Sequence, residues 1–211
     1  MAKTVLFDLD GTIVDTNELI IQSFLHTLEG VTAQPLERER IAAHMGHALD
    51  EQLRMFSGLQ DVDELIAKYR KFNVENHDEL VREFPGVRET LAELKSRGVR
   101  MGVVTNKRRD TSLMGLKRCG LDPYIELLVT IEDVSRGKPH PEPVLKAIEL
   151  MGADASDTLM VGDSQYDLIA AREAGAVSVA VAWSLKGEAF LRQFQPDYVI
   201  HEMKELLTIV G

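Results

Sequence analysis

The sequence predicts an α/β protein: a parallel sheet with helices on both faces, and an all-helical subdomain inserted after the first strand. Three observations predict it. Short apolar runs alternate with longer amphipathic ones. The runs lack the strict alternation of half-exposed strands, as expected of strands buried on both faces. From about Asp15 to about Val81 the rhythm stops, and no convincing strand occurs.

The strand-like runs are "TVLF" (4–7), "RMGVVT" (100–105), "ELLVTI" (126–131), "TLMVG" (158–162), "VSVAVAW" (177–183) and "DYVI" (197–200). Most are rich in β-branched residues. Between them "PGVRETLAELKSRG", "DTSLMGLKRCG", "PEPVLKAIELMG" and "YDLIAAREAG" show helical spacing, and each ends at a glycine, the usual helix stop. Strand and helix in alternation imply right-handed crossovers between parallel strands. The insert opens with Asp15 three residues before Glu18, which resembles a capping box. Ile20, Ile21, Phe24, Leu25 and Leu28 then form one apolar face. "RERIAAHM", "LDEQLRMF" and "VDELIAKYRKFNVENHDELV" follow, and "REFPGV" around Pro85 is the return hinge. The expected division is residues 1–14 and 84–211 for the α/β core and 15–83 for the helical subdomain.

Composition narrows the function. The chain has 211 residues, 45% hydrophobic and 27% charged, with a net charge of −10. An acidic protein has no general attraction for nucleic acid or anionic membrane, so neither is expected as a partner. No run approaches the roughly 18 apolar residues of a spanning helix. "MAKTVLFDLDG" places acidic residues where an export signal needs an apolar stretch. A single cysteine, Cys119, excludes an internal disulfide framework and favours a reducing compartment. A cytoplasmic protein is expected. If its substrate is anionic, the site must be locally positive against the global charge.

Ligands of open α/β sheets bind beyond the carboxyl ends of the strands. The first strand delivers Asp8 and Asp10 there, and the second delivers Thr105 and Asn106. The loop after the third, "RGKPHPEP", brings Lys138, and the fourth ends in "VGDSQYD" with Asp163 and Asp167. Each signal alone has a plainer reading. D-x-D-G also ends strands as a loop, "TN" also makes turns, and a lysine before proline is commonly a solvated charge. Asp163 or Ser164 can simply cap the helix that begins near Tyr166. Lys107 and Arg108 could add to the positive charge that an anionic substrate needs, but a solvated helix start is their plainer reading. The order of the groups, at four successive strand ends, argues against coincidence.

The ordered set "DLDGT", "VVTN", "GKPHP" and "GDSQYD" resembles the four motifs of the haloacid dehalogenase (HAD) superfamily, over nearly the whole chain. That resemblance implies a Rossmann-like core with an α-helical cap and Mg2+-dependent phosphoryl chemistry. Carried onto these positions, it makes Asp8 the nucleophile and Asp10 the general acid/base. Thr105, with the Asn106 backbone, would hold the phosphoryl oxygens, and Lys138 would neutralise them. Mg2+ would be bound by Asp8, the Asp10 carbonyl and Asp163, with Asp167 in support. Mg2+ needs only one or two carboxylates besides substrate oxygens, which suits this set. Asp10 favours phosphoryl transfer, because the superfamily's dehalogenases lack the second aspartate.

The substrate is expected to be a small phosphorylated compound. Asn17 and His47, the latter in "HMGHAL" (44–49), are the candidate cap residues for binding it, although a surface histidine is the plainer reading of His47. "TNELIIQSFLHTL", "YRKFNVENHDELV" and "SLKGEAFLRQFQPDY" resemble segments of HAD-type inorganic pyrophosphatases, which favours pyrophosphate. Phosphoglycolate or another small phosphomonoester is the alternative, followed by a phosphoglucomutase-type transfer. A non-catalytic phosphate-binding regulator would not need Asp8 and Asp10 together. Oligomeric state is not readable from the sequence.

Overall fold

The computed structural model describes residues 4–32 and 35–211. Residues 1–3, part of the stretch read for an export signal, and 33–34, within the helical insert, lie outside the described residues. The chain opens with β1 (Thr4–Phe7) and a two-residue strand, β2 (Val14–Asp15). Five helices follow: α1 (Asn17–Leu28), α2 (Arg38–His44), α3 (Leu49–Ser57), α4 (Asp63–Glu75) and α5 (His77–Leu80). Then come β3 (Arg82–Glu83), α6 (Val87–Ser96), β4 (Arg100–Val104), α7 (Arg109–Arg118) and β5 (Leu127–Val129). The rest is α8 (Glu142–Leu150), β6 (Thr158–Gly162), α9 (Gln165–Glu173), β7 (Val177–Val181), α10 (Glu188–Leu191), β8 (Tyr198–Ile200) and α11 (Leu206–Val210). Among the described residues no helix is long and apolar enough to cross a membrane.

Six strands form a parallel sheet in the order β5-β4-β1-β6-β7-β8, with Thr4 opposite both Arg100 and Thr158. Alternation along β1 explains why its run is apolar throughout. Val5 and Phe7 face the cluster made by Val87, Leu91 and Leu94 of α6, Leu116 of α7 and Leu206 of α11. Leu6 faces the opposite cluster, with Val144 and Ala147 of α8 and Ala170 and Ala171 of α9. The order reverses at β1, which puts a crevice beyond its carboxyl end. Asp8 and Asp10 enter that crevice while Leu9 between them is fully buried.

The insert has a core of its own, with Ile21, Phe24 and Leu28 of α1 packed on Ile41, Leu53, Phe56 and Tyr69. Phe24 is its centre. It meets Phe56 edge-on at 5.4 Å and Tyr69 at 4.8 Å. Such a side chain contributes about 1.5–3 kcal/mol by burial. β2 and β3 pair antiparallel, so the segments entering and leaving the five helices lie side by side.

Local detail departs from expectation in three places. The box between Asp15 and Glu18 does not form, because the Glu18 carboxylate binds Arg38 and Gln22 while Asp15 accepts the Asn17 N–H at 3.1 Å. The segment 62–81 is two helices, divided where the Asn76 side chain bonds the Phe72 carbonyl at 2.8 Å. The third strand stops at Val129 because Thr130 and Asp133 cap a tight turn. The four glycine stops hold, with Gly98, Gly120, Gly152 and Gly175 all at positive φ.

Candidate active site

Four strand ends converge on one cavity of about 520 Å3, lined by Asp8, Asp10, Thr105, Asn106, Lys138, Asp163 and Asp167 from the sheet side. Its hub is the Lys138 ammonium. Lys138 Nζ donates to Asp8 Oδ1 at 2.6 Å, to Asp167 Oδ1 at 2.6 Å and to the Val104 carbonyl at 2.7 Å. An ammonium has three donors, so all are engaged. The solvated-charge reading of Lys138 fails, since the residue is 6% exposed.

The helix-cap reading of "GDSQYD" is correct but incomplete. Ser164 is the N-cap of α9, and Asp167 Oδ2 accepts both its N–H at 3.0 Å and its hydroxyl at 2.6 Å. The other oxygen of Asp167 serves Lys138. Two glycines allow the crowding. A Cβ on Gly162 would lie 2.3 Å from Asp167 Cβ, and one on Gly11, at φ +79, would lie 2.5 Å from Asp163 Oδ2.

Asp8, Asp163 and Asp167 are buried, and each offers an oxygen within 4.8 Å of the others'. Three carboxylates against one ammonium leave two negative charges uncompensated if all are ionised. Burial raises the Asp8 carboxyl to about 7, with repulsion from Asp167 and Asp10 adding to it and Lys138 opposing it. Burial, then repulsion from Asp167 and Asp8, also raises Asp163 well above the usual carboxylate range. Burial would lower Lys138, but the attraction of Asp167 and Asp8 holds it above its ordinary value. This all-oxygen set with surplus negative charge fits a hard divalent cation.

Asp10 is held differently. Its Oδ1 accepts the Thr16 hydroxyl at 2.7 Å and Lys107 Nζ at 2.8 Å. Lys107 is therefore turned into the cavity, and the expected solvated helix start is corrected. The attraction of a carboxylate at the end of β1 outweighs solvation at this short range. Arg108 is half-exposed and pairs with Asp110 and Glu132, although it too lines the cavity. Thr105 is buried, and its hydroxyl accepts the Lys107 N–H at 3.1 Å.

The five-helix insert forms the opposite wall. His47 lines it, its ring 4.4 Å from that of Tyr166. Asn17 does not line the cavity; Ile20, one turn further along α1, does. The Asp15 carboxylate accepts the Asn17 N–H, which ties the first turn of α1 to the end of β2. The sequence reading missed Gln52, Tyr69, Arg70 and Asn73, which also line the wall. Tyr69 and Asn73 are four residues apart on α4, and polar tips at that spacing on an apolar face were the available signal. It also missed Lys186, which donates to the Ala43 carbonyl at 2.8 Å and is lowered by burial against the attraction of Asp163 and Asp167.

Residues 5–181 match the model of the haloacid dehalogenase-like hydrolases. The chain belongs to that family. This hydrolase is 48% identical over 209 residues to the pyrophosphatase PpaX of Bacillus mycoides, covering 99% of this chain and 97% of the relative. It is also similar to the crystal structure of a predicted phosphoglycolate phosphatase from Haemophilus somnus, at 25% identity and a TM-score of 0.86, covering 100% of this chain and 98% of that one. A haloacid dehalogenase-like hydrolase from Streptococcus pneumoniae, 23% identical over 100% of this chain and 99% of its own, shares the fold with a TM-score of 0.88.

Proposed function

We propose that this hydrolase is a Mg2+-dependent inorganic pyrophosphatase, converting pyrophosphate and water to two phosphates through an aspartyl phosphate on Asp8. The observation that carries the reading is Asp8 held by the buried Lys138 ammonium within an acidic cluster, on a chain 48% identical over 209 residues to a PpaX pyrophosphatase.

Lys138 occupies Asp8 Oδ1, which leaves Oδ2 to attack phosphorus. The new O–P bond forms as the bridging P–O bond breaks, and phosphate leaves. Water then attacks the aspartyl phosphate, returning the Asp8 carboxylate and the second phosphate. Asp10 Oδ1 is taken by Thr16 and Lys107, so Oδ2 exchanges the proton with leaving group and water. Thr105 holds a phosphoryl oxygen beside the Asn106 backbone. Lys138 acts through Asp8, because its donors are already engaged. Mg2+ would be held by Asp8, the Asp10 carbonyl and Asp163, with Asp167 in support, and when bound it offsets the surplus negative charge and polarises the phosphoryl oxygens.

Residues 15–83 act as the cap over a core of 1–14 and 84–211, and His47 contributes to recognition from that side. Closure on the paired β2 and β3 segments excludes bulk water until the phosphoryl group is transferred. One buried cysteine supports a cytoplasmic location. Phosphoglycolate is the second candidate substrate, in view of the Haemophilus somnus neighbour. A comparison of kcat/KM for pyrophosphate, phosphoglycolate and sugar phosphates with Mg2+ decides between them. Pyrophosphate is expected to lead, and a larger value for phosphoglycolate would replace the proposal with the second candidate.

A further inference from the structure

Asn106 follows Thr105 at the end of β4, and its side chain meets backbone groups of two other segments. Its Oδ1 accepts the Lys138 N–H at 2.8 Å. Its Nδ2 donates to the Lys138 carbonyl at 2.8 Å and to the Gly46 carbonyl at 3.0 Å. Two carbonyls and one N–H fix which end of the amide is which, and both its N–H groups are used. Among the described residues, both hydrogen bonds of the Lys138 backbone go to Asn106.

Glycines make both approaches possible. A Cβ on Gly137 would lie 2.5 Å from Asn106 Oδ1. Gly46 has φ +100, and a Cβ there would lie 2.8 Å from Tyr166 Cδ2 and 3.3 Å from Ser164 Oγ. The loop between α2 and α3 therefore rests on the start of α9, where the His47 ring meets that of Tyr166 at a tilt. Its Gly46 carbonyl reaches the amide that grips Lys138.

We infer that Asn106 is a positioning residue that couples the seating of this loop to the placement of Lys138. With the loop seated, the Gly46 carbonyl fixes the plane of the amide. With the loop lifted, the amide keeps two bonds but its broad terminal torsion is released, and the Lys138 backbone loosens with it. The ammonium that orients Asp8 thus becomes fully placed when the helical insert is seated over the cavity. The coupling is a property of the fold, while its consequence for turnover rests on the phosphohydrolase reading above.

Gly46→Ala lifts the loop without altering Asn106 or Lys138. Amide hydrogen exchange at Lys138, read by NMR on the full chain without metal, is expected to accelerate about fivefold or more, the weight of one net hydrogen bond. In an Asn106→Ala background, Lys138 exchange should already be fast and should not respond to Gly46→Ala. Faster exchange in residues 45–48 with unchanged exchange at Lys138 overturns the coupling. So does equal acceleration in both backgrounds, which would bypass Asn106. His47→Ala, which removes the ring contact with Tyr166, lifts the loop more gently should Gly46→Ala fail to fold.

Turnover supplies a second readout. Gly46→Ala is expected to lower kcat for phosphate release from pyrophosphate in the wild-type background by a larger factor than in Asn106→Ala. If the exchange pattern appears but even the wild type releases no phosphate, the coupling stands and the phosphohydrolase reading falls.

Discussion

Replacing Lys138 by methionine removes the buried ammonium that bridges Asp8 and Asp167 in a cluster of three buried carboxylates. Lys138→Met keeps much of the stem and deletes three hydrogen bonds, at 2.6, 2.6 and 2.7 Å. Leaving one side of a buried ion pair unpaired costs about 3–5 kcal/mol. The orphaned Val104 carbonyl adds about 1 kcal/mol. The loss, about 4–6 kcal/mol, is comparable to the lower end of an ordinary domain's stability, about 5–15 kcal/mol. Urea unfolding in EDTA is the assay, at pH 8 and pH 5. Asp8 already sits near 7 with Lys138 beside it, and without the lysine it rises further. The carboxyls can then protonate at pH 5, so the deficit should fall by about half there. A deficit under about 1 kcal/mol at pH 8, or one equal at both pH values, would refute the view that Lys138 balances this cluster.

Other consequences are open to measurement. Asp8 and Asp163 both have folded pKa values raised above their unfolded ones, so their favourable contribution to the metal-free protein is complete below about pH 4 and is lost as pH rises, for Asp8 through about 7. Cation binding must displace those protons, so the Tm increase given by Mg2+ alone should be larger at pH 8 than at pH 6; a larger shift at pH 6 would contradict this. Gly11→Ala forces φ +79 on a Cβ that meets Asp163, and should lose about 1–3 kcal/mol by urea titration together with Mg2+ affinity. Phosphate is a better leaving group than an alkoxide, so Asp10→Asn should slow phosphoenzyme formation from a sugar phosphate more than from pyrophosphate. Equal losses in single-turnover bursts would count against that role for Asp10.

The sheet was legible because a strand buried on both faces leaves an uninterrupted apolar run, as in Val5, Leu6 and Phe7. The site's sheet side was legible because chemistry at strand ends follows from the topology of parallel sheets, which places Asp8, Thr105, Lys138 and Asp163 together. What the sequence did not disclose depends on tertiary approach. Lys107 has the same local context as the half-exposed Arg108, and only the nearness of Asp10 buries the first and not the second. Glu18 had a local partner in prospect, but Arg38, twenty residues away, attracts its carboxylate instead. The insert wall was harder still, since Tyr69 and Asn73 serve the packing of α1 and the cavity at once. Periodicity identifies such a face as buried without saying what it is buried against.

Covalent capture tests the central claim most directly. The enzyme is mixed with 32P-labelled pyrophosphate and Mg2+, quenched in acid within one turnover, and digested for peptide mapping. Label is expected on the peptide containing Asp8, and should be absent in Asp8→Asn. Phosphate released at full rate with no label on Asp8, or with full activity in Asp8→Asn, would contradict the role assigned to it.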